Sequence, residues 1–190
     1  NKAFVDTNSL KIGELAVNSG IEYYKRDDRL ATDDTKQEEF NYDFIVNTKP
    51  DTLIMINPVC PLIDEKDIDN VIEFYMNNNY DSVITVEEVR QQSFCNKRPV
   101  NIDLNQILQP TQNIEPILLC NWAITVWNAQ KFSYSYEKYG YASFLGNTGF
   151  YTLSKIKSIK ISYEEDFQLA EYILKTINAP QQPPKYYSEQ

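Results

Sequence analysis

The chain has 190 residues, 42% hydrophobic, 13% aromatic and 24% charged, enough apolar material for one well-formed core and too little length for two full domains. Its 18 Lys plus Arg against 27 Asp plus Glu leave a net charge of −9, which repels phosphate backbones and anionic lipid and so excludes nucleic acid and membrane surfaces as partners. The absence of histidine removes imidazole general bases, His-ligated zinc and Ser/His or Cys/His catalytic pairs.

Lys2 to Asp6 reads as a short buried strand, after which Thr7-Asn8 caps a helix carrying Ile12, Leu15 and Ala16 at helical spacing, with Gly20 as the stop. Ile21 to Tyr24 is a second strand, followed by the charged loop Lys25 to Asp34 and a helix capped by Thr35 with Phe40 and Phe44 on one face. Thr52 to Ile56 is almost wholly apolar, as for a strand covered on both faces, and Ile68, Val71, Ile72 and Tyr75 mark an amphipathic helix. Ser82 to Val86 is the next strand. This alternation, with crossovers of roughly a dozen residues or more, is the signature of right-handed βαβ units, and it gives the fold class: a three-layer α/β/α sandwich on a mainly parallel, Rossmann-like sheet.

After Val89 the rhythm breaks. Residues 90–118 are polar and proline-punctuated, an excursion from the sheet suited to an arm, a lid or a dimer contact. Trp122 to Trp127 is again a strand, Phe150 to Leu153 and Lys157 to Ile161 are short strands, and Tyr163-Glu164-Glu165-Asp166 opens a last helix carrying Phe167, Leu169, Ala170, Ile173 and Leu174. Residues 1–178 are expected to form the single domain and 179–190 a Pro-rich tail, loosely ordered or packed extended on a neighbour. Cys60, Cys95 and Cys120, odd in number and without a CxxC spacing, fit small buried thiols in a reducing cytoplasm. There is no run of 18 apolar residues and no basic-plus-apolar leader, and the sequence starts without a Met inside an apolar run, so a true N-terminus upstream of Asn1 is open.

Open α/β sheets take ligands at the carboxyl ends of their strands, here the loops after Asp6, Tyr24, Ile56, Val86 and Val126. The five glycines form neither GxGxxG nor GxxxxGK[ST], so this stretch builds no phosphate cradle of those kinds. The stiff loop Asn57-Pro58-Val59-Cys60-Pro61-Leu62 either holds the Asn57 amide against a base or sugar hydroxyl or is a rigid turn whose asparagine satisfies backbone groups. Leu30 to Asp34, just before a helix start, is either an anion site or a solvated loop with an N-cap. Asp67 and Asp69 imitate a DxD clamp, but two residues apart on a helix they are rotated by about 200° and belong to a solvated face. Glu164, Glu165 and Asp166 offset a helix dipole. Tyr134, Tyr136, Tyr139 and Tyr141 alternate with polar residues, as a stacking surface or as the aromatic edge of a subunit contact.

In order along nearly the whole chain, these segments resemble the acylneuraminate cytidylyltransferase family, the CMP-sialic-acid and CMP-KDO synthetase group. FVDTNSLKIGELA (4–16) resembles the VSTD-plus-helix segment, YYKRDDRLATDD (23–34) the RPxELAxD loop, and INPVCPLIDEKDID (56–69) the LQPTSPLRxxxDID stretch. DSVITVEEV (81–89) is similar to the strand that follows, PTQNIEPILLCNWAITVW (110–127) to RTQDLPPxYxENxAIYI, and SIKISYEEDFQLAE (158–171) to SIDIDTEEDLxLAE. The resemblance implies transfer of CMP from CTP to a nonulosonic, sialic-acid-like sugar acid with release of pyrophosphate, assisted by Mg²⁺; the excursion at 90–118 is expected to contribute to a homodimer. It also implies nucleotide or sugar contacts at Asp33, Asn57, Gln112 and Asn121. The chain departs from the pattern where the family holds phosphate and metal. The RGGSKG-type loop is absent, the two metal aspartates correspond to Lys160 and Ser162, and the glutamine, the two arginines and the tyrosine of the motifs are Asn57, Ile63, Pro110 and Thr125. Two readings follow: a CMP-sugar synthetase with a shifted metal site, or a catalytically degenerate relative that binds nucleotide or sugar and regulates a partner, this chain in either case being weakly active or inactive.

Overall fold

A computed structural model describes residues 2–179, so the expectation for the Pro-rich tail lies almost wholly outside the described residues. The chain forms two compact units. One draws on the residues up to Ile54, on Tyr80–Ser82 and on Val126–Thr148, the other on Met55–Asn79, Val83–Thr125 and the chain from Gly149 onward.

In the first unit β1 (Phe4–Thr7), α1 (Leu10–Asn18) and β2 (Glu22–Lys25) form a βαβ unit whose strands pair in parallel, Phe4 opposite Glu22 and Thr7 opposite Lys25. The cap of α1 is Ser9, whose hydroxyl accepts from Ile12 N–H, one residue later than the Thr7-Asn8 expectation because Thr7 Oγ1 is spent on Ser9 N–H. The face that α1 buries matches the expected one only at Ala16: Gly13 is buried beside it, while Ile12 and Leu15 stay exposed. The Tyr23 ring sets this choice, since it lies 2.6 Å from where a Gly13 Cβ would stand, so the small residue takes the inward position. Helix α2 (Gln37–Thr48) packs Phe44 edge-on to Phe4 and Tyr24, at 5.3 and 4.9 Å. Helix α4 (Ala129–Tyr139) contains most of the tyrosine run, and its helical turn divides the rings. Tyr136 packs on Tyr42, whereas Tyr139 stacks on Tyr141 and meets Tyr134 edge-on.

The four-stranded sheet has the order β3-β7-β4-β8, built from β3 (Thr52–Ile56), β4 (Ser82–Val89), β7 (Ile117–Asn128) and β8 (Thr148–Leu153). With the flanking helices this is the expected α/β class. β4 and β8 start at one end, where Asp81 N–H donates to Asn147 O, and so run parallel. β7 is the exception. Asn57 N–H donates to Ala123 O and Ala129 N–H to Asp51 O, so β7 descends as β3 ascends. The loop after Val126 therefore leaves the opposite edge from the Asn57 loop, and the start of β7 takes its place at the carboxyl edge, a correction to the loop set read from sequence.

In the second unit α3 (Glu65–Asn77) buries Val71 and Tyr75, with Phe74 edge-on to Tyr151, and Cys60, Ala123 and Leu153 form a small apolar cluster. The excursion is an arm with a two-residue hairpin, β5 (Phe94–Cys95) and β6 (Arg98–Pro99), and a 3₁₀ turn at Thr111–Asn113. The expected strand at Lys157 to Ile161 is instead a turn: Ser158 N–H donates to Ser154 O and Ile159 N–H to Ile156 O, bonds that close back on the chain, while Ile161 N–H reaches Val59 O without forming a strand. Helix α5 (Glu164–Asn178) starts where expected. Only Cys60 is buried; Cys95 and Cys120 are exposed, because one sits on the arm hairpin and the other near the start of β7. No helix among the described residues is long and apolar enough to cross a membrane.

Candidate functional site

The carboxyl edge of β3 continues into the Asn57 loop. There Asn57 Oδ1 accepts from Val59 N–H at 3.3 Å and Asn57 O from Cys60 N–H at 3.0 Å, an Asx turn stiffened by Pro58 and Pro61. The Asn57 amide nitrogen makes no hydrogen bond among the described residues and is able to meet a ligand. Asn121 reaches the same backbone from the other side. Asn57 N–H donates to Ala123 O at 2.8 Å, and Ala123 N–H donates to Asn121 Oδ1 at 3.1 Å.

The Asn121 side chain is buried and committed to protein. Its Oδ1 also accepts from Thr85 Oγ1 at 2.7 Å and its Nδ2 donates to Ser158 Oγ at 2.9 Å. Gln112 is exposed, in the 3₁₀ turn of the arm. Asp33 is exposed in the first unit, in the turn that follows Asp28–Leu30, where Thr35 Oγ1 donates to Arg29 O rather than capping α2. Of the four residues taken from sequence, Asn57 and Asn121 thus converge on Ala123.

The loop after β8 carries Lys160 and Ser162. It is tied to the Asn57 loop by Ile161 N–H to Val59 O at 2.8 Å. The Lys160 side chain is exposed; burial pushes the Cys60 thiol up from its ordinary pKa, and the charge of Lys160 acts in the opposite direction. Ser162 N–H donates to Asp166 Oδ2. Lys157 lies against the start of α3, 2.6 Å from Asp64 Oδ2 and 2.7 Å from Asp67 Oδ2. Asp67 is therefore no solvated residue, as its spacing from Asp69 suggested, but half of a capping box and of an ion pair. These donors do not fit Mg²⁺. A cation and a hydroxyl stand at the two matching positions, the Asp166 carboxylate is taken up by Ser162 N–H, and the Asp64 and Asp67 carboxylates are held by the Lys157 ammonium. Among the described residues no three carboxylate or thiol groups gather as a metal site.

In the first unit the carboxyl ends of β1 and β2 present Asp6 and Arg26. Arg26 Nε and Nη2 donate to the two Asp6 oxygens at 3.0 and 2.8 Å, and the guanidinium lies 4.0 Å from the centre of the Phe40 ring. An open hollow of about 590 Å³ beside this pair is lined by Tyr24, Asp28, Asp43 and Asn47 among others. Tyr24 Oη donates to Asp43 Oδ2 at 2.6 Å; burial first and this bond second push the phenol up to about 12. Asp6 consumes the Arg26 fork, which leaves the exposed Lys25 as a cation lining this hollow.

No known family profile matches this sequence, and no curated protein matches it. Solved structures do match in fold. A 4-diphosphocytidyl-2C-methyl-D-erythritol synthase from Anaerococcus prevotii matches over 92% of this chain and 78% of its own, at TM-score 0.61 and 14% identity. A CMP:2-keto-3-deoxy-manno-octonic acid synthetase, solved with CTP, matches over 93% and 82%, at 0.66 and 8%. HddC from Yersinia pseudotuberculosis matches over 90% and 77%, at 0.55 and 14%.

Proposed function

We propose that this chain, whose fold is shared with cytidylyltransferases of known structure, binds a cytidine nucleotide at the carboxyl edge of the sheet and, beside it, a nonulosonic sugar acid. The observation that carries this reading is the convergence of the Asn57 turn and the Asn121 side chain on Ala123, in a fold shared with a synthetase solved with CTP. Asn57 offers its amide nitrogen to base or ribose, with Gln112 as a further polar contact. Transfer would join an acceptor hydroxyl oxygen to the α-phosphorus of CTP and expel pyrophosphate. Lys160, exposed and cationic, is the group able to offset phosphate charge without a metal. The same lysine supports the second reading, a chain that binds nucleotide or sugar with little or no Mg²⁺-dependent turnover and serves a partner, a second copy of itself included.

The test is calorimetry with CMP and CTP, followed by pyrophosphate release from CTP with a panel of nonulosonic acids. The unmodified chain and the Lys160→Asp, Ser162→Asp double variant are compared. Nucleotide binding by both, with Mg²⁺-dependent release rising only in the double variant, is the expected result. Robust Mg²⁺-dependent turnover by the unmodified chain restores the plain synthetase assignment, and failure to bind either nucleotide overturns the proposal.

A further inference from the structure

Trp122 stands inside β7 with φ of +57°, a left-handed conformation that a bulky residue keeps only where its surroundings enforce it. The residues around it show what enforces it. Directly after Trp122, two consecutive backbone donors are served by side chains: Ala123 N–H by Asn121 Oδ1 at 3.1 Å and Ile124 N–H by Thr85 Oγ1 at 3.0 Å. The Thr85 hydroxyl proton goes to Asn121 Oδ1 at 2.7 Å, with Ile124 O at 3.0 Å as its other acceptor. Asn121 Nδ2 then donates to Ser158 Oγ, which donates on to Ser154 O at 3.0 Å. All three side chains are buried, Thr85 fully and Asn121 and Ser158 to 8% exposure, so each bond lost would orphan a donor or acceptor out of reach of water.

The network also touches both loops of the candidate site. Ala123, whose N–H it holds, accepts from Asn57 N–H, and Ser158 lies in the turn that leads to Ile161, whose N–H donates to Val59 O. We infer that Thr85, Asn121 and Ser158 form one positioning unit that holds Trp122 left-handed and thereby sets the loops at 57–63 and 154–162 for the nucleotide. Asn121 is then a positioning residue, acting through Trp122 and the loops. The inference rests on the nucleotide reading above for its ligand, though not for its geometry.

Two readouts separate it from a general loss of stability. The chain has two tryptophans and Trp127 is fully buried, so iodide quenching of the intrinsic fluorescence reports Trp122 without any ligand. Thr85→Val keeps the shape and removes the hydroxyl, Thr85→Ser keeps the hydroxyl, and Ser82→Ala removes a buried hydroxyl of the first unit as a control. We expect Thr85→Val and Asn121→Ala to raise iodide quenching and to weaken CMP affinity about tenfold, the loss of one or two buried hydrogen bonds, while Thr85→Ser and Ser82→Ala keep both. If Asn121→Ala does not fold, the Thr85→Val and Thr85→Ser pair carries the comparison. Equal quenching and affinity in Thr85→Val and Thr85→Ser would overturn the inference, as would an equal loss of CMP affinity in Ser82→Ala. A chain whose unmodified form binds no CMP sinks the nucleotide reading, and the quenching comparison still decides whether the unit holds Trp122.

Discussion

Lys157 donates from one ammonium to Asp64 Oδ2 at 2.6 Å and to Asp67 Oδ2 at 2.7 Å, closing a clamp on a capping box in which the two aspartates exchange backbone N–H bonds. The clamp joins the turn before Ile161 to the first turn of α3 and so braces the loop that carries Lys160. Hydrogen bonding to Lys157 holds the Asp64 carboxyl below its usual range, and the two carboxylates raise the Lys157 ammonium despite its partial burial.

The sign of the pH dependence follows from those directions. A lowered Asp64 contributes stability above its unfolded pKa of about 3.9 that is lost as pH falls, and a raised Lys157 contributes below about 10.4 and loses it as pH rises. Lys157→Met should therefore lower the melting temperature across the range between, by about 2–4 °C for a protein of this size, with the difference from the unmodified chain closing at both extremes. Melting curves between strong acid and strong base check this. A difference independent of pH would mean that the clamp acts through packing alone.

The Tyr24 phenol gives a second pH signature. Its pKa is pushed up to about 12, chiefly by burial and then by the bond to Asp43. A phenol whose folded pKa is raised favours folding below its unfolded value of about 10 and loses that contribution as pH climbs toward the folded value. The bond to Glu137 also raises the Tyr42 phenol, and burial that of Tyr136, so ultraviolet titration of the tyrosinate band should show a late-titrating group of phenols whose amplitude Tyr24→Phe reduces, together with part of the stability decline above pH 10. An unchanged late step in Tyr24→Phe would assign it to another tyrosine.

Gly13→Ala tests why the inward face of α1 is small. Alanine gains about 1 kcal/mol of helix propensity, yet its Cβ would meet the Tyr23 ring at 2.6 Å, and overpacking of that kind costs about 1–3 kcal/mol. Net destabilisation in urea unfolding is expected, with the sign reversing in a Tyr23→Leu background where the ring is gone. Stabilisation by the single variant would show that the ring yields freely.

What was legible in the sequence is what local periodicity and punctuation encode. The strand cores at Thr52 to Ile56 and Ser82 to Val86, the helix at Ile68 to Tyr75 and the Gly20 stop all follow from apolar spacing and left-handed glycine. The direction of β7 was not legible, because an apolar run reads the same in a parallel or an antiparallel place. Nor was the role of Lys157, 93 residues from Asp64, although the Asp64-x-x-Asp67 spacing announced the capping box that receives it. Thr85 and Ser158 carried no signal at all: a single hydroxyl in a strand or a turn is chemically ordinary until the fold sets it beside Asn121.

The arm is where a homodimer contact is expected. Residues 90–116 do not hang loose: Asn101 Nδ2 donates to Gln91 O and Glu115 O, both at 2.9 Å, Asn101 Oδ1 accepts from Ser93 N–H, and Arg90 donates to Ile114 O. That bracing presents an apolar tip, with Leu104, Ile107 and Leu108 at 63%, 87% and 60% exposure. Three such side chains left in water forfeit roughly 1.5–3 kcal/mol each relative to burial, and an ordered arm gives that energy to a partner without a large ordering cost. A homodimer that covers the tip should then form with a dissociation constant of about 10 µM or tighter. Ile107→Glu and Leu108→Glu, which place charge on the tip and leave the bracing untouched, should yield monomer. Asn101→Ala should weaken the dimer less, by loosening the arm rather than by opposing the contact. Sedimentation velocity across a concentration series reads all three. An unmodified chain that stays monomeric at tens of micromolar would remove the arm as a dimer contact and leave its exposed tip to a different chain.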